Sequence, residues 1–136
     1  MHATTRSAVT FYECAAPEDV ISVYSAKLAM ETDCADVHAA LRNSEPDFVL
    51  LHAVGTEEAF ARKHVPGAVH LPHRDISEST LGRWSRDTVF VVYCAGPHCN
   101  GADQAALKLA RLGRKAKVMI GGLTGWADEG FAFAQG

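Results

Sequence analysis

Thr88-Val89-Phe90-Val91-Val92-Tyr93-Cys94, followed by Ala95-Gly96-Pro97-His98-Cys99-Asn100-Gly101, decides the fold. The first six residues are β-branched or aromatic, the composition of a strand packed between layers. The strand runs directly into Cys94. The next seven residues hold two glycines and a proline and read as a loop. Ala102 to Leu112 then reads as a helix, with Ala105, Leu109 and Leu112 on one face and Gly113 as its stop.

The same alternation continues on both sides. Upstream, Phe48-Val49-Leu50-Leu51 is a continuous apolar run, expected of a strand covered on both faces. Glu57 to Lys63 is helical in character. His64-Val65-Pro66-Gly67-Ala68 is a turn, and Val69-His70-Leu71 a short strand ending at Pro72. Downstream, Lys117-Val118-Met119-Ile120 is a strand, Gly121-Gly122 a turn, and Leu123 to Glu129 a short helix. Alternating strands and helices imply an α/β domain with a mostly parallel central sheet. Ligands bind such sheets beyond the carboxyl ends of the strands, which is where Cys94 stands.

The N-terminal part reads differently. Residues 1–16 form a lead-in. Pro17-Glu18-Asp19 opens a helix, because proline suits the first turn and acids suit its positive end. Val20, Val23, Tyr24 and Leu28 recur at helical spacing, which predicts a packing helix. Thr32 or Asp33 caps a second helix to about Leu41, with Val37 and Leu41 facing inward. Asn43 to Asp47 breaks it.

Bulk properties narrow the function. The chain has 136 residues, 13 Lys and Arg against 16 Asp and Glu, and a net charge of −3. That balance gives no reason to expect nucleic-acid or membrane binding. No apolar run reaches the roughly 18 residues of a membrane span. Met1 to Arg6 lacks the apolar core of a secretory signal, so the cytoplasm is expected, with Cys14, Cys34, Cys94 and Cys99 reduced. Cys94-x4-Cys99 is not a zinc-binding pair. His52, His64, His70 and His73 match no metal-ligand spacing, so no metal and no cofactor are expected.

The chemistry expected at Cys94 follows from its position. A strand fixes its backbone, a glycine-containing loop can turn N–H groups inward, and a helix N-terminus adds more donors. Such a ring lowers a thiol pKa and can hold an anion or a persulfide. Gly96 and Gly101 are the positions most able to take positive φ, and Pro97 stiffens the loop. His98 points either into the pocket as a proton donor or out to solvent. Cys99 is either a resolving thiol that closes a disulfide with Cys94 or an inert loop residue.

Three stretches together resemble the rhodanese family. Phe48 to Leu51 with Ala59-Phe60 and His64 to Pro72 is similar to its first signature. Val91-Val92-Tyr93-Cys94 with its loop resembles the active-site segment. Ile120-Gly121-Gly122-Leu123-Thr124-Gly125-Trp126 resembles the closing Gly-Gly-x-x-x-Trp signature. The resemblance implies a five-stranded parallel sheet with helices on both faces, over a domain of residues 33–133. Residues 1–32 become an extension whose extra helix packs on the sheet or makes a homodimer contact. It also implies a sulfurtransferase or sulfur carrier. Cys94 would take a sulfane sulfur from thiosulfate, polysulfide or a protein persulfide and pass it to a thiol or cyanide. The loop Ala95, Gly96, Pro97, His98, Cys99, Asn100 and Gly101 would cradle that sulfur.

The chain departs from the family pattern at three places. The usual Asp-Val-Arg is His52-Ala53-Val54 here. Lys63 precedes His64 where a Gly is usual. The active-site loop is two residues longer than is usual for the family, Gly101 stands where an Arg is usual, and no Arg or Lys lies between Cys94 and Gly101. These departures leave two alternatives open: a non-catalytic binding or sensing module, and a thiol-redox or arsenate-reductase-type enzyme using Cys94 and Cys99.

Overall fold

The computed structural model describes residues 5–136; residues 1–4, the start of the lead-in and of the stretch weighed as a secretory signal, lie outside the described residues. The elements run α1 (Pro17–Met30), β1 (Glu31–Asp33), α2 (Cys34–Ala40), β2 (Val49–His52), α3 (Glu57–Arg62), β3 (Val69–His70), β4 (Val89–Tyr93), α4 (Gly101–Arg111), β5 (Lys115–Ile120) and α5 (Gly122–Asp128). A 3-10 turn covers His73–Asp75. The strands form one sheet in the order β1-β5-β4-β2-β3, with every neighbouring pair parallel.

Side chains of successive strand residues point to opposite faces, so an all-apolar strand needs two cores. β4 has them. Phe90, Val92 and Cys94 join Leu51, Ala53, Ala102, Ala105 and Leu109 beneath α4. Val91 and Tyr93 join Leu50, Met119, Cys34, Val37, Val65 and Trp126 beneath α2 and α5. The helices thus cover both faces of a five-stranded parallel sheet, as the sequence implies. Helix α2 is capped as expected, with the Asp36 N–H donating to the Asp33 carboxylate at 2.8 Å.

Two expectations are corrected. The first concerns Glu31–Asp33, which form β1, pairing in register with Val118–Ile120 of β5. With no apolar residue, this strand has no sequence signature and exists only through its neighbour. The second concerns α1, which is a helix but not a packed one. None of its residues is buried, and Val20, Ile21, Val23, Tyr24, Leu28 and Met30 are all exposed. The segment feeds the edge strand of the sheet, and among the described residues no element buries its apolar side chains. Its last turn is tied down by Lys117, whose Nζ donates to the Leu28 carbonyl at 2.9 Å. Among the described residues no helix is long and apolar enough to cross a membrane.

Tyr93, at the end of β4, links the second core to the neighbouring strand. Its hydroxyl accepts the Val65 N–H at 3.0 Å and lies 2.7 Å from His52 Nδ1. Burial first, and then the nearby His70 and His64, lower the His52 pKa from 6.5 to about 4. A neutral imidazole accepts the Tyr93 O–H at Nδ1. Unfolding restores the ordinary pKa, so between pH 6.5 and about 4 the unfolded chain binds the extra proton. Stability from this group is therefore full above pH 6.5 and is lost as pH falls through that window, by on the order of 3 kcal/mol. Urea unfolding followed from pH 7 to pH 4 is expected to show this decline. His52→Asn, whose Oδ1 can accept the same bond, is expected to flatten that part of the curve.

Candidate functional site

Cys94 lies at the carboxyl end of the central strand, nearly enclosed, with 5% of its surface exposed. The backbone around it is pinned from the far side by the start of α5. Leu123 N–H donates to the Cys94 carbonyl and Thr124 N–H to the Ala95 carbonyl, both at 3.0 Å. The Thr124 hydroxyl adds a 3.2 Å bond to the same Ala95 oxygen. This latch needs the Gly121-Gly122 pair. Both residues have positive φ, and a Cβ on Gly122 would overlap the Cys94 carbonyl. Trp126 fixes the far end of α5, buried and donating Nε1–H to the Ala132 carbonyl at 3.0 Å.

The loop then turns back over the sulfur. Cys99 N–H donates to the Gly96 carbonyl at 3.0 Å, closing a turn with Pro97 at its second position, where a fixed φ suits it. Gly96 and Gly101 do not take positive φ, contrary to expectation. They are small for lack of space. A Cβ on Gly96 would stand 2.5 Å from Thr124 Oγ1, and one on Gly101 would run into Val54 Cγ1. Val54 and Gly101 are two of the departures from the family pattern, and they fit each other: the valine occupies the space a side chain at 101 would need.

His98 is exposed, which settles its orientation toward solvent, and Ala95, Pro97 and Asn100 are exposed with it. Asn100 does not cap α4 with its side chain; its Oδ1 accepts from Gln104 Nε2 at 2.7 Å instead. Backbone donors pull both thiol pKa values down, Ala102 and Gly96 at Cys94 and Gly101 and Ala95 at Cys99. Gly101 N lies 3.4 Å from Cys99 Sγ.

The donors do not make Cys94 the more acidic thiol. Burial is the largest influence and pushes it up, the Cys99 thiol adds to that rise, and the Ala102 and Gly96 donors only partly oppose it. The Cys94 S–H donates to the Cys99 carbonyl, 3.3 Å away, which also holds the proton in place. Burial pushes Cys99 up as well. There it is outweighed by the N–H groups of Gly101 and Ala95 and by the Cys94 thiol, so Cys99 falls below the ordinary cysteine value. The sequence predicts a lowered pKa at Cys94; burial raises it there instead, and the lowered one belongs to the half-buried Cys99.

The remaining sequence candidates lie elsewhere. Cys34 is buried under α5, its thiol raised to about 11 chiefly by burial. His52, His64 and His70 surround the Phe60 ring. Among the described residues, no group of three His, Cys, Asp or Glu side chains is arranged to hold a metal ion. A groove of about 330 Å³ between α2 and β4 includes Asp47, Phe48 and Val89, toward the amino ends of the strands and away from Cys94. The Thr124 latch and the Ala102 donor were not singled out in the sequence. The Gly-Gly-x-x-x-Trp signature was the one signal pointing to the former.

Comparison with known proteins agrees with this geometry. A family model for the rhodanese-like domain matches residues 34–129. The crystal structure of the BH2092 protein from Bacillus halodurans superposes with a TM-score of 0.83 at 35% identity, over 88% of this chain and 87% of that one. A thiosulfate sulfurtransferase from Pseudomonas aeruginosa shares the fold at 20% identity and a TM-score of 0.66, over 85% of this chain and 22% of its own. An HTH-type transcriptional regulator of Mycobacterium tuberculosis is 29% identical over 96 residues, 71% of this chain. The chain spans 42% of that regulator's length.

Two outcomes test the site. Brief alkylation with iodoacetamide near neutral pH, read by peptide mass, is expected to modify Cys99 well before Cys94. Gly122→Ala is expected to lower stability by more than ~2 kcal/mol, since it adds an overlap with the Cys94 carbonyl to the strain of positive φ. Gly130→Ala carries the strain alone, because nothing lies within 4 Å of the added carbon, and should fall short of that loss in the same urea titration.

Proposed function

The chain belongs to the rhodanese-like domain family, and on that footing we propose that it is a sulfurtransferase or sulfur carrier that works through a persulfide on Cys94. One observation carries this reading. Cys94 directly follows the central strand, nearly enclosed, at the carboxyl end of the parallel sheet and at the start of the loop that leads into α4. Backbone donors of such a loop can hold the partial charge of a persulfide without a full cation.

The same site favours one class of donor. Thiosulfate is a dianion, and the loop from Cys94 to Gly101 offers it no Arg or Lys. A protein persulfide carries a single negative charge, and a polysulfide's charges stand at opposite ends of its chain, so either brings less charge to the sulfane sulfur under attack, and is the donor we assign. In the loading step the Cys94 thiol loses its proton and attacks the donor's sulfane sulfur. The donor's S–S bond breaks, and the remainder leaves as a thiolate or shorter polysulfide. The acceptor is a thiol or cyanide.

A second reading has its own observation. Cys94 is enclosed, with its sulfur 3.3 Å from the Cys99 carbonyl, and a chain of similar sequence is called a transcriptional regulator. Both suit a module that senses or binds without turning over.

Intact-protein mass separates the two. After incubation with polysulfide the Cys99→Ser protein, which cannot close a disulfide with Cys94, is expected to gain roughly 32 Da, one sulfur, and replacing Cys94 as well is expected to abolish that gain. Thiosulfate should load it much less. No gain with either donor would favour the binding module.

A further inference from the structure

Resting on the Cys94 persulfide reading, we propose that Cys99 attacks that persulfide, closes a Cys94–Cys99 disulfide and expels hydrosulfide, so that the protein is a sulfide-releasing enzyme reset by a thiol reductant. The turn from Gly96 to Cys99 folds residue 99 over residue 94, with the Cys94 thiol 3.3 Å from the Cys99 carbonyl. Both cysteines lie against Gly101: a carbon built there would stand 3.4 Å from Cys99 Sγ and 3.5 Å from Cys94 Cβ. No side chain at 101 separates them. Cys99 is only half-buried, and the turn is held through backbone groups, so rotation of its side chain leaves the turn intact.

The chemistry balances within the site. The Cys99 thiolate forms a bond to Cys94 Sγ, the inner sulfur of the persulfide. The bond between Cys94 Sγ and the outer sulfur breaks, and its electron pair leaves with hydrosulfide. Cys99 is oxidised as the outer sulfur is reduced, so no further oxidant is required. Hydrosulfide is a weaker base than a cysteine thiolate and leaves faster, which favours attack at the inner sulfur over passage of the outer one to Cys99. Gly101 N–H supports the attacking charge on Cys99. A dithiol reductant then returns the pair to two thiols and is itself oxidised to a disulfide.

The test loads the full-length protein with polysulfide, removes the excess, and follows sulfide release and intact mass together. The native protein is expected to release about one sulfide per chain and to end two hydrogens lighter than its reduced form, with Cys94 and Cys99 joined. Cys99→Ser and Cys99→Ala are expected to keep the added sulfur and to release sulfide at least about tenfold more slowly. Equal release from native and variant proteins would overturn the proposal, as would an added sulfur that stays on the native protein or is found on Cys99. If neither the native protein nor the variants ever gain sulfur, the persulfide reading itself falls, and this inference with it.

Discussion

The contact between Gly122 and the Cys94 carbonyl is the constraint on which the site depends. A parallel sheet delivers its central strand to one edge of the molecule, where the chain leaves regular pairing and its carbonyls lose their partners. Here α5 arrives at that point and supplies the missing donors, from Leu123 and Thr124. It can come so close only because residue 122 has no side chain. With the carbonyls of Cys94 and Ala95 engaged by α5, the direction in which the loop leaves the sheet is fixed. Trp126, buried at the other end of α5, holds the helix in place for that purpose.

Within this frame the two cysteines divide the tasks a single reactive thiol usually combines. Enclosure excludes water from Cys94 and raises its pKa, which suits the storage of a bound sulfur better than rapid capture of one. Cys99 stands at the mouth, where the same kind of backbone donors acts against a smaller burial penalty and lowers its pKa. The balance between burial and donors, not the number of donors, sets the direction in which each thiol pKa moves.

Much of the architecture was legible because it rests on local patterns. The two-faced β4, the capped α2 and the glycine stop after α4 each announce themselves in consecutive residues. What the sequence concealed depends on partners distant in the chain. Glu31-Thr32-Asp33 is a strand only beside β5. The apolar stripe of α1 has the spacing of a packed helix, but spacing cannot say whether anything in the chain covers it. At the site, Cys94 and the loop boundaries could be read directly. The glycines misled, because a small residue serves equally for positive φ and for close approach. Gly96 and Gly101 do the second, against Thr124 and Val54.

The departures from the family pattern at residues 52, 54 and 101 are physically linked. His52, replacing an acid, is neutral and buried, and forms a hydrogen bond with Tyr93 rather than an ion pair. With no charge at 52 there is nothing for a cation at 54 to balance, and Val54 can pack as an apolar residue. Val54 in turn fills the space beside Gly101 and closes the position where a side chain could reach the loop. An arginine at 101 would have to displace Val54, so restoring the cation takes at least a paired change. The loop without a cation is therefore set by the packing beneath it, and its anion-handling capacity must come from backbone N–H groups and from the second thiol.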